Sequence, residues 1–296
     1  MRQLNLKPTK DIFRESNTCY VLKAYFLIRI LINLLWLPTC VICARVLSAS
    51  IDSPGFFMSK RGAFMFDREI KLIGINNYNK LKNSTVMVIG LGGVGGYVVE
   101  SLTRAGIGNI ILVDYDIIDI TNINRQLISN TSNIGMKKTL EWQKRINLIN
   151  PACQVTTIDK YLTKDNLYDT LNNYKIDYII DACDTIMVKK ELIKYTYLNK
   201  IGFIASMGTG NKLEPSKLEI TTLDKTSYDP IAKILRKYVK DEKINKKIYV
   251  VCSKEQPKKI NEKTISSIST VPSTAGLLLS SFVINSIINN WHKKLN

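Results

Sequence analysis

A glycine-rich turn is the first place in this sequence where residue types and spacing could do chemistry. Residues 90–96 read Gly-Leu-Gly-Gly-Val-Gly-Gly and follow the β-branched run 85–89. Glycines let backbone N–H groups approach a phosphate, and the positive end of the helix that follows favours its charge. Asp114 ends the next apolar run, where a carboxylate can bind both hydroxyls of a ribose. The expected nucleotide ligands are Gly90, Gly92, Gly93, Gly95 and Asp114.

The turn alone does not distinguish NAD from ATP, and such glycines can also serve only to let helix and strand pack closely. Four polar segments follow it: Asp-Tyr-Asp at 114–116, Thr-Asn-Ile-Asn-Arg-Gln at 121–126, Gly-Met-Lys-Lys at 135–138 and Asp-Ala-Cys-Asp-Thr at 181–185. A dehydrogenase needs a diphosphate clamp and a hydride path, whereas an adenylating enzyme must hold a triphosphate and bind Mg²⁺. These cations and carboxylates therefore favour ATP.

Taken together, the segments resemble those of the ThiF/MoeB/ubiquitin-activating superfamily, over nearly the whole chain from about Phe66. The resemblance rests on the GxGGxG turn and on the D-x-D, T-N-x-x-R-Q, G-x-x-K and D-x-x-D segments as a set. It implies an adenylate-forming enzyme with ATP and Mg²⁺ as its cofactors.

The resemblance also implies a role for each polar residue near the turn. Gly93 would pack on the nucleotide, and Asn122 and Arg125 would contact its phosphates. Lys138 would hold the β and γ groups, and Asp184 would coordinate Mg²⁺. The expected catalytic residues are Arg125, Lys138 and Asp184. Each also has an ordinary interpretation: a surface ion pair for the arginine, a solvated helix position for the lysine and a helix N-cap for the aspartate.

A narrower resemblance lies further along the chain. The segments 206–215, 225–232, 253–257 and 271–276 are similar to those of the tRNA threonylcarbamoyladenosine dehydratases. This resemblance implies ATP-dependent cyclisation of N6-threonylcarbamoyladenosine in tRNA, with loss of water, through a carboxyl-adenylate intermediate. Such a reaction needs positioning and charge stabilisation, but no cysteine or histidine of the enzyme.

Three other functions stay open: adenylation of the C-terminal glycine of a ubiquitin-like or sulfur-carrier protein, a nucleotide- or tRNA-binding scaffold without chemistry, and an NAD-linked oxidoreductase. The single histidine, His292, argues against Ser-His-Asp hydrolysis and most histidine metal centres. Cys40 and Cys43 form the only CxxC, which gives a four-cysteine zinc site no support. Cys183 and Cys252 are candidate nucleophiles, although both are better explained as packing residues.

The formal net charge of +17 favours nucleic acid, an anionic membrane or a phosphate-rich ligand, unless it reflects a compositional bias alone. We expect residues 212–263 to be a basic region that binds tRNA. Within it, residues 225–263 contain 12 lysines and arginines against 5 acidic residues. Tyr228, Tyr238 or Tyr249 could stack on an exposed base. A solubilising surface is the alternative.

The N-terminal residues 1–57 form a hydrophobic extension ahead of the expected adenylating domain, 58–296. Residues 24–44 are apolar and about long enough to cross a bilayer. The extension is a membrane anchor on the cytosolic face, a targeting peptide or the result of a start codon called too early, with Met58 or Met65 as the favoured start. We expect the enzyme in the cytoplasm. The superfamily suggests a homodimer, and a sulfur-transfer protein is a further candidate partner.

Short apolar runs alternate with amphipathic stretches in the manner of βαβ units. They predict an α/β fold, a doubly wound Rossmann-like and mostly parallel sheet, with additional C-terminal strands and helices and with its ligand crevice at the carboxyl ends of the strands. Strands are predicted at 85–89, 109–113, 154–158, 177–180, 203–206, 217–222 and 247–253. Helices are predicted at 94–104, 136–147, 185–199, 229–240 and 273–289, and one more leads from Phe66 into the first strand.

Overall fold

The computed structural model describes residues 65–259 and 265–289 of the 296-residue chain. The extension predicted at 1–57, including the apolar segment 24–44, lies outside the described residues, as does His292. The strands and helices below all fall within the described ranges.

Seven strands form one sheet in the order β3-β2-β1-β4-β5-β7-β6. Six of them run parallel, and β6 pairs antiparallel with β7. Apart from Gly202 and the ends, the strands consist mainly of β-branched, aliphatic and aromatic residues, which suit a pleated and buried surface. The strands are β1 Thr85–Ile89, β2 Asn109–Val113, β3 Gln154–Ile158, β4 Tyr178–Asp181, β5 Gly202–Ser206, β6 Leu218–Thr222 and β7 Tyr249–Ser253.

The helices connect the strands and cover both faces of the sheet. They are α1 Asp67–Ile73, α2 Ile75–Lys82, α3 Gly95–Arg104, α4 Lys138–Ile149, α5 Lys164–Asn172, α6 Ile186–Leu198, α7 Pro230–Asp241 and α8 Thr270–Ile288. A short 3-10 helix, Ile120–Asn122, lies between β2 and α4.

The sheet separates two apolar layers. On β2, Ile110 and Leu112 face one layer, and Ile111 and Val113 face the other. Helices α3, α4 and α8 pack in the first layer, and α5, α6 and α7 pack in the second. This arrangement confirms the predicted doubly wound fold.

The two ends of the parallel strands form two edges with different surroundings. We call the edge where β1, β2, β4 and β5 end the carboxyl edge, and the opposite edge, where they begin, the amino edge. The strand order reverses between the neighbours β1 and β4. A crevice opens at such a switch point on the carboxyl edge, so the turn after β1 and the segment after β4 face each other there.

The structure adds three details to the predicted elements. The stretch before β1 is two helices, because Gly74 with φ of 82° interrupts it. Helix α5 was not predicted; it begins with a capping box between Thr163 and Asn166. Helix α8 begins at Thr270, and among the described residues it is the one helix long and apolar enough to span a membrane. More than half of its apolar window is buried in the domain, as is typical of a core helix.

Candidate nucleotide-binding site

A cavity of about 460 Å³ lies at the carboxyl edge, where the crevice was expected. We call it the carboxyl-edge cavity. The predicted site residues that line it are Gly90, Gly92, Gly93, Asp114, Asn122, Arg125, Lys138 and Asp184. Gly95 is the one predicted ligand outside this lining, since it lies beneath the turn as the first residue of α3. Residues far apart in sequence therefore meet in one cavity.

Two glycines of the turn have no room for a side chain. Gly90 has φ of 87°, and a Cβ there would lie 2.8 Å from the carbonyl oxygen of Ala182. A Cβ on Gly95 would lie 1.8 Å from the carbonyl oxygen of Gly90. Gly92 differs, because the nearest atom to its added Cβ is Nε2 of Gln126 at 3.7 Å. Glycine at 90 and 95 is therefore needed to form the turn, whereas glycine at 92 leaves the backbone open to the cavity.

Asp114, the residue that follows β2, is fixed by the turn and by its own segment. Its Oδ2 accepts a hydrogen bond from the backbone N–H of Leu91 at 2.6 Å, and its Oδ1 accepts one from the backbone N–H of Asp116 at 2.9 Å. The side chain is buried at the cavity wall. Each carboxylate oxygen has a further lone pair, so the group is oriented and can still accept from ribose hydroxyls.

Lys138 is not a solvated helix residue, as its ordinary interpretation would have it. It is 3% exposed at the start of α4, and its Nζ lies 2.9 Å from Oδ2 of Asp116. The side chain of Asp116 is 46% exposed, so the pair joins a buried cation to a carboxylate that reaches the cavity. A phosphate group entering the cavity would meet both members of this pair.

Arg125 is held by neutral groups. Its Nη1 donates to the carbonyl oxygen of Thr121 at 2.8 Å and to Oδ1 of Asn124 at 2.9 Å. In the part of the chain that the structure describes, it has no ion-pair partner within 4.0 Å, which argues against the surface ion-pair interpretation. The guanidinium charge of Arg125 is thus left for an anion.

Asn122 is oriented by the 3-10 helix, where its Oδ1 accepts a hydrogen bond from the N–H of Asp119.

Asp184 is exposed and lies just after β4. The N-cap of α6 is Thr185, so Asp184 does not have the capping role considered from the sequence. Among residues 65–259 and 265–289, no group of three or more histidine, cysteine, aspartate or glutamate side chains is arranged to hold a metal ion. Mg²⁺ is commonly held by one or two carboxylates together with phosphate oxygens and waters, and the partly exposed Asp184 and Asp116 fit that donor set.

A buried ion pair at the cavity wall is not among the site residues predicted from the sequence. Lys189 of α6 is 1% exposed, and its Nζ donates to Oδ2 of Asp181 at 3.0 Å and to the carbonyl oxygen of Ser206 at 2.8 Å. Burial lowers the pKa of Lys189, but the charge of Asp181, its hydrogen bond to the lysine and the nearby Cys183 and Asp184 together outweigh burial and hold that pKa above its ordinary value. The pair ties together the ends of β4 and β5, from which Asp184 and the segment after Ser206 enter the cavity. A lysine at a core-facing helix position, close after a strand that ends in aspartate, is the signal that could have revealed it.

The two candidate cysteine nucleophiles are poorly suited to attack. Burial and then the charge of Asp181 raise the pKa of Cys183 well above its ordinary value, and its Sγ lies 3.1 Å from Oδ1 of Asp181. Burial raises the pKa of Cys252 to about 11. Since the thiolate is the nucleophile, both residues favour the packing role over a thioester role.

The later segments that carried the narrower resemblance form a scaffold for the cavity wall. Asp229 caps α7 through the N–H of Ala232 and accepts from the N–H of Gly208, at 2.9 Å and 2.8 Å. Lys212 donates to the carbonyl oxygen of Gly208 at 2.6 Å. Glu255 accepts hydrogen bonds from two backbone N–H groups just after Lys212. These contacts fix the loop after β5, which lines the cavity.

Comparisons with known proteins agree with this geometry. The model of the ThiF family matches residues 66–295. The chain is 39% identical to the tRNA threonylcarbamoyladenosine dehydratase of Bacillus subtilis (strain 168), over 76% of this chain and 95% of that protein. It also superposes on the E. coli tRNA N6-threonylcarbamoyladenosine dehydratase in complex with AMP, with a TM-score of 0.74 and 30% identity over 80% of this chain and 99% of that one. The ATP complex of the E. coli enzyme gives a TM-score of 0.73 at 30% identity, over 81% and 100% of the two chains. The chain belongs to the ThiF family.

Proposed function

We propose that this chain is a tRNA threonylcarbamoyladenosine dehydratase, which uses ATP to cyclise N6-threonylcarbamoyladenosine with loss of water. The observation that carries the proposal is the meeting of Asp114, Arg125, Lys138 and Asp184 around one glycine turn. The 39% identity to the Bacillus subtilis enzyme supports the same substrate class.

The chemistry begins with a poor electrophile. A carboxylate cannot expel oxide, so the threonylcarbamoyl carboxylate must first be converted into an acyl-adenylate. One of its oxygens attacks the α-phosphorus of ATP, the bond from that phosphorus to the bridging oxygen of the β-phosphate breaks, and pyrophosphate leaves. The ureido group of the same side chain then attacks the acyl carbon, releases a proton and expels AMP. The carboxylate oxygen that departs as part of AMP accounts for the missing water.

The residues of the cavity supply position and charge in both steps. Asp114 would hold the ribose, and the turn would hold the phosphates against the start of α3. Arg125 and Asn122 would contact the phosphates, and Lys138 would bind the β and γ groups as negative charge develops on pyrophosphate. Asp184 would hold Mg²⁺, which neutralises phosphate charge when bound. No enzyme nucleophile takes part, in agreement with the raised pKa of Cys183.

We also propose where the enzyme acts, which residues form its domain and which partners it contacts. It places the enzyme in the cytoplasm, where ATP and tRNA occur together, and assigns residues 58–296 to the adenylating domain and 212–263 to tRNA contact. A homodimer is expected from the superfamily. Membrane contact through residues 24–44 and a sulfur-transfer partner stay predictions.

Mass spectrometry of tRNA nucleosides tests the proposal. The purified chain is incubated with ATP, Mg²⁺ and tRNA that carries threonylcarbamoyladenosine, and the modified nucleoside is expected to lose the mass of one water. A nucleoside of unchanged mass, with pyrophosphate exchange stimulated by a small sulfur-carrier protein, would instead identify the carrier's C-terminal glycine as the substrate.

A further inference from the structure

A second and larger cavity, of about 1170 Å³, lies at the amino edge. We call it the amino-edge cavity. Its lining includes the first residues of three strands, Tyr178 of β4, Gly202 of β5 and Tyr249 of β7. The other end of β5, at Ser206, lines the carboxyl-edge cavity. A strand rises about 3.3 Å per residue, so the two cavities are separated by roughly 13 Å along β5.

The lining of the amino-edge cavity is strongly cationic. Seven lysine and arginine side chains line it against one acidic residue, Asp224. Four of the seven fall between residues 240 and 247, and the others are Lys200, Lys225 and Arg236. Within the described ranges, none of the seven lies within 4.0 Å of a carboxylate oxygen. Among residues 65–259 and 265–289, this charge therefore has no counter-charge in direct contact.

The ends of two helices account for only a small part of that charge. Helices α6 and α7 end near the cavity, and Lys200 and Lys243 follow them. Each helix C-terminus carries about half a negative charge, so the two ends offset about one of the seven cations. Both lysines have φ of 53°, a left-handed conformation that glycine adopts without steric cost. The backbone conformation at the two helix ends therefore does not call for a lysine. Most of the positive charge of the cavity stays available to a ligand.

The size and the floor of the cavity point to an extended polyanion. Its volume exceeds the roughly 1,000 Å³ at the upper end of small-molecule pockets. The apolar residues of its floor, among them Phe203, Ile244 and Ile248, are buried. A membrane-binding surface instead presents exposed apolar side chains beside its cations. Nucleic acid phosphates need only the cations, and their contacts dominate nucleic acid affinity.

We propose that the amino-edge cavity binds the sugar-phosphate backbone of the tRNA, at a point remote from the nucleoside that reacts at the carboxyl edge. The inference rests on the proposed function, because it takes tRNA as the molecule that reaches both edges of the sheet. A small substrate has no means of using both cavities, whereas a folded RNA is long enough to contact both. The amino-edge cavity thus holds the substrate without taking part in adenylation.

A charge-removing triple variant tests this site. Lys225→Gln, Lys243→Gln and Lys247→Gln together remove three exposed cations from the cavity. The dissociation constant for tRNA carrying threonylcarbamoyladenosine, measured at several salt concentrations, is expected to rise by about tenfold or more. The slope of log affinity against log salt should decrease by about one for each phosphate that the variant no longer binds. The triple Lys→Arg variant should retain the affinity.

The matched control removes the same charge elsewhere. Lys82, Lys164 and Lys233 are exposed, line neither cavity and have no ion pair among the described residues. Their triple Lys→Gln variant should bind tRNA within about twofold of the unmodified chain. The affinity for ATP should be unchanged in both triple variants, which also shows that both are folded.

Equal losses in the two triple variants, or no loss in either, would overturn the proposal. So would a cavity variant that loses binding to vesicles of phosphatidylserine and phosphatidylcholine, or to inorganic phosphate, while it keeps its affinity for tRNA. The proposed function fails separately: a chain that binds tRNA through this cavity but leaves the nucleoside mass unchanged refutes the dehydratase reaction alone. A chain that dehydrates the nucleoside with tRNA affinity insensitive to the cavity variant refutes the tRNA site alone.

Discussion

The two edges of the sheet carry their positive charge in different ways. At the carboxyl edge, Lys138 and Lys189 are buried and each pairs with an aspartate, whereas the half-buried Arg125 is held by hydrogen bonds to neutral groups. At the amino edge most of the lysines are exposed, and no described residue supplies a carboxylate in contact. Buried, paired cations have a fixed position, which suits a chemical step, whereas exposed cations attract a polyanion with little demand on geometry. The comparison predicts that variants at one edge change turnover and variants at the other change RNA affinity.

The largest expected effect is at Asp184. Asp184→Ala should lower single-turnover dehydration by about 10³-fold. The variant would lack the carboxylate that we propose holds Mg²⁺, and the charge of the phosphates would then not be neutralised. The dissociation constant for tRNA should change by less than about twofold. Asp169, exposed on α5 and outside both cavities, provides the control, and Asp169→Ala should leave turnover intact. A comparable loss of turnover in the Asp184 and Asp169 variants would contradict a specific role of Asp184 in the reaction.

The second effect tests how tightly the glycine turn is built. Gly95→Ala should reduce the free energy of unfolding by about 3 kcal/mol, because the new Cβ would meet the carbonyl oxygen of Gly90. Gly92→Ala should reduce it by less than about 0.5 kcal/mol, since the nearest atom is 3.7 Å from its Cβ, but should weaken ATP binding. Urea unfolding and ATP titration measure the two quantities. Equal stability in both variants contradicts the close approach at position 95.

A slightly smaller effect is expected at Lys138. Lys138→Met should lower turnover by about 100-fold and leave tRNA affinity unchanged, because the variant would lack the cation that we propose lies beside the departing pyrophosphate. The neighbouring Lys137 is exposed and pairs with Asp159, so Lys137→Met provides a matched control that should stay within about twofold. A Lys138→Met variant with ordinary turnover and weakened tRNA binding would reverse the assignment of the two edges.

The smallest effect is expected at the cysteines. Cys183→Ser and Cys252→Ser should each keep turnover within about twofold, because the raised pKa of each thiol leaves little thiolate at about pH 8. Peptide-resolved mass spectrometry should show both residues alkylated by iodoacetamide far more slowly in the folded chain than in urea. A large loss of turnover in either variant would indicate that the cysteine acts as a nucleophile and forms a thioester.

Local patterns predict most of the elements, whereas the tertiary contacts are seen only in the structure. Strands such as β2 are visible as β-branched and aliphatic runs, and a glycine turn between strand and helix has few other uses. Helix α5 escaped prediction because its residues, Lys-Asp-Asn-Leu-Tyr-Asp-Thr-Leu-Asn, are mostly polar, with few apolar positions to mark a periodicity. The pairing of Lys189 with Asp181 joins a helix to a strand, which spacing along the chain does not report.

In the basic region 212–263 too, the sequence does not show which residues come into contact in the folded chain. The sequence treats its lysines alike, but the structure separates them. Lys212 is buried and supports the loop at Gly208, whereas Lys243 is exposed in the amino-edge cavity, which is also lined by Lys200 from outside the region. The number of positive charges along the chain predicts a polyanion partner. The structure is needed to tell which lysines are buried and support the fold and which are exposed and can contact that partner.

The proposed reaction requires the carboxyl-edge cavity to bring the α-phosphorus of ATP to the substrate carboxylate. An oxygen-18 label in the threonylcarbamoyl carboxylate of the tRNA follows that bond directly. Mass spectrometry of the released nucleotide should show one labelled oxygen in AMP and none in pyrophosphate. Label in pyrophosphate or in free phosphate would mean attack at another phosphorus and would contradict the adenylation mechanism.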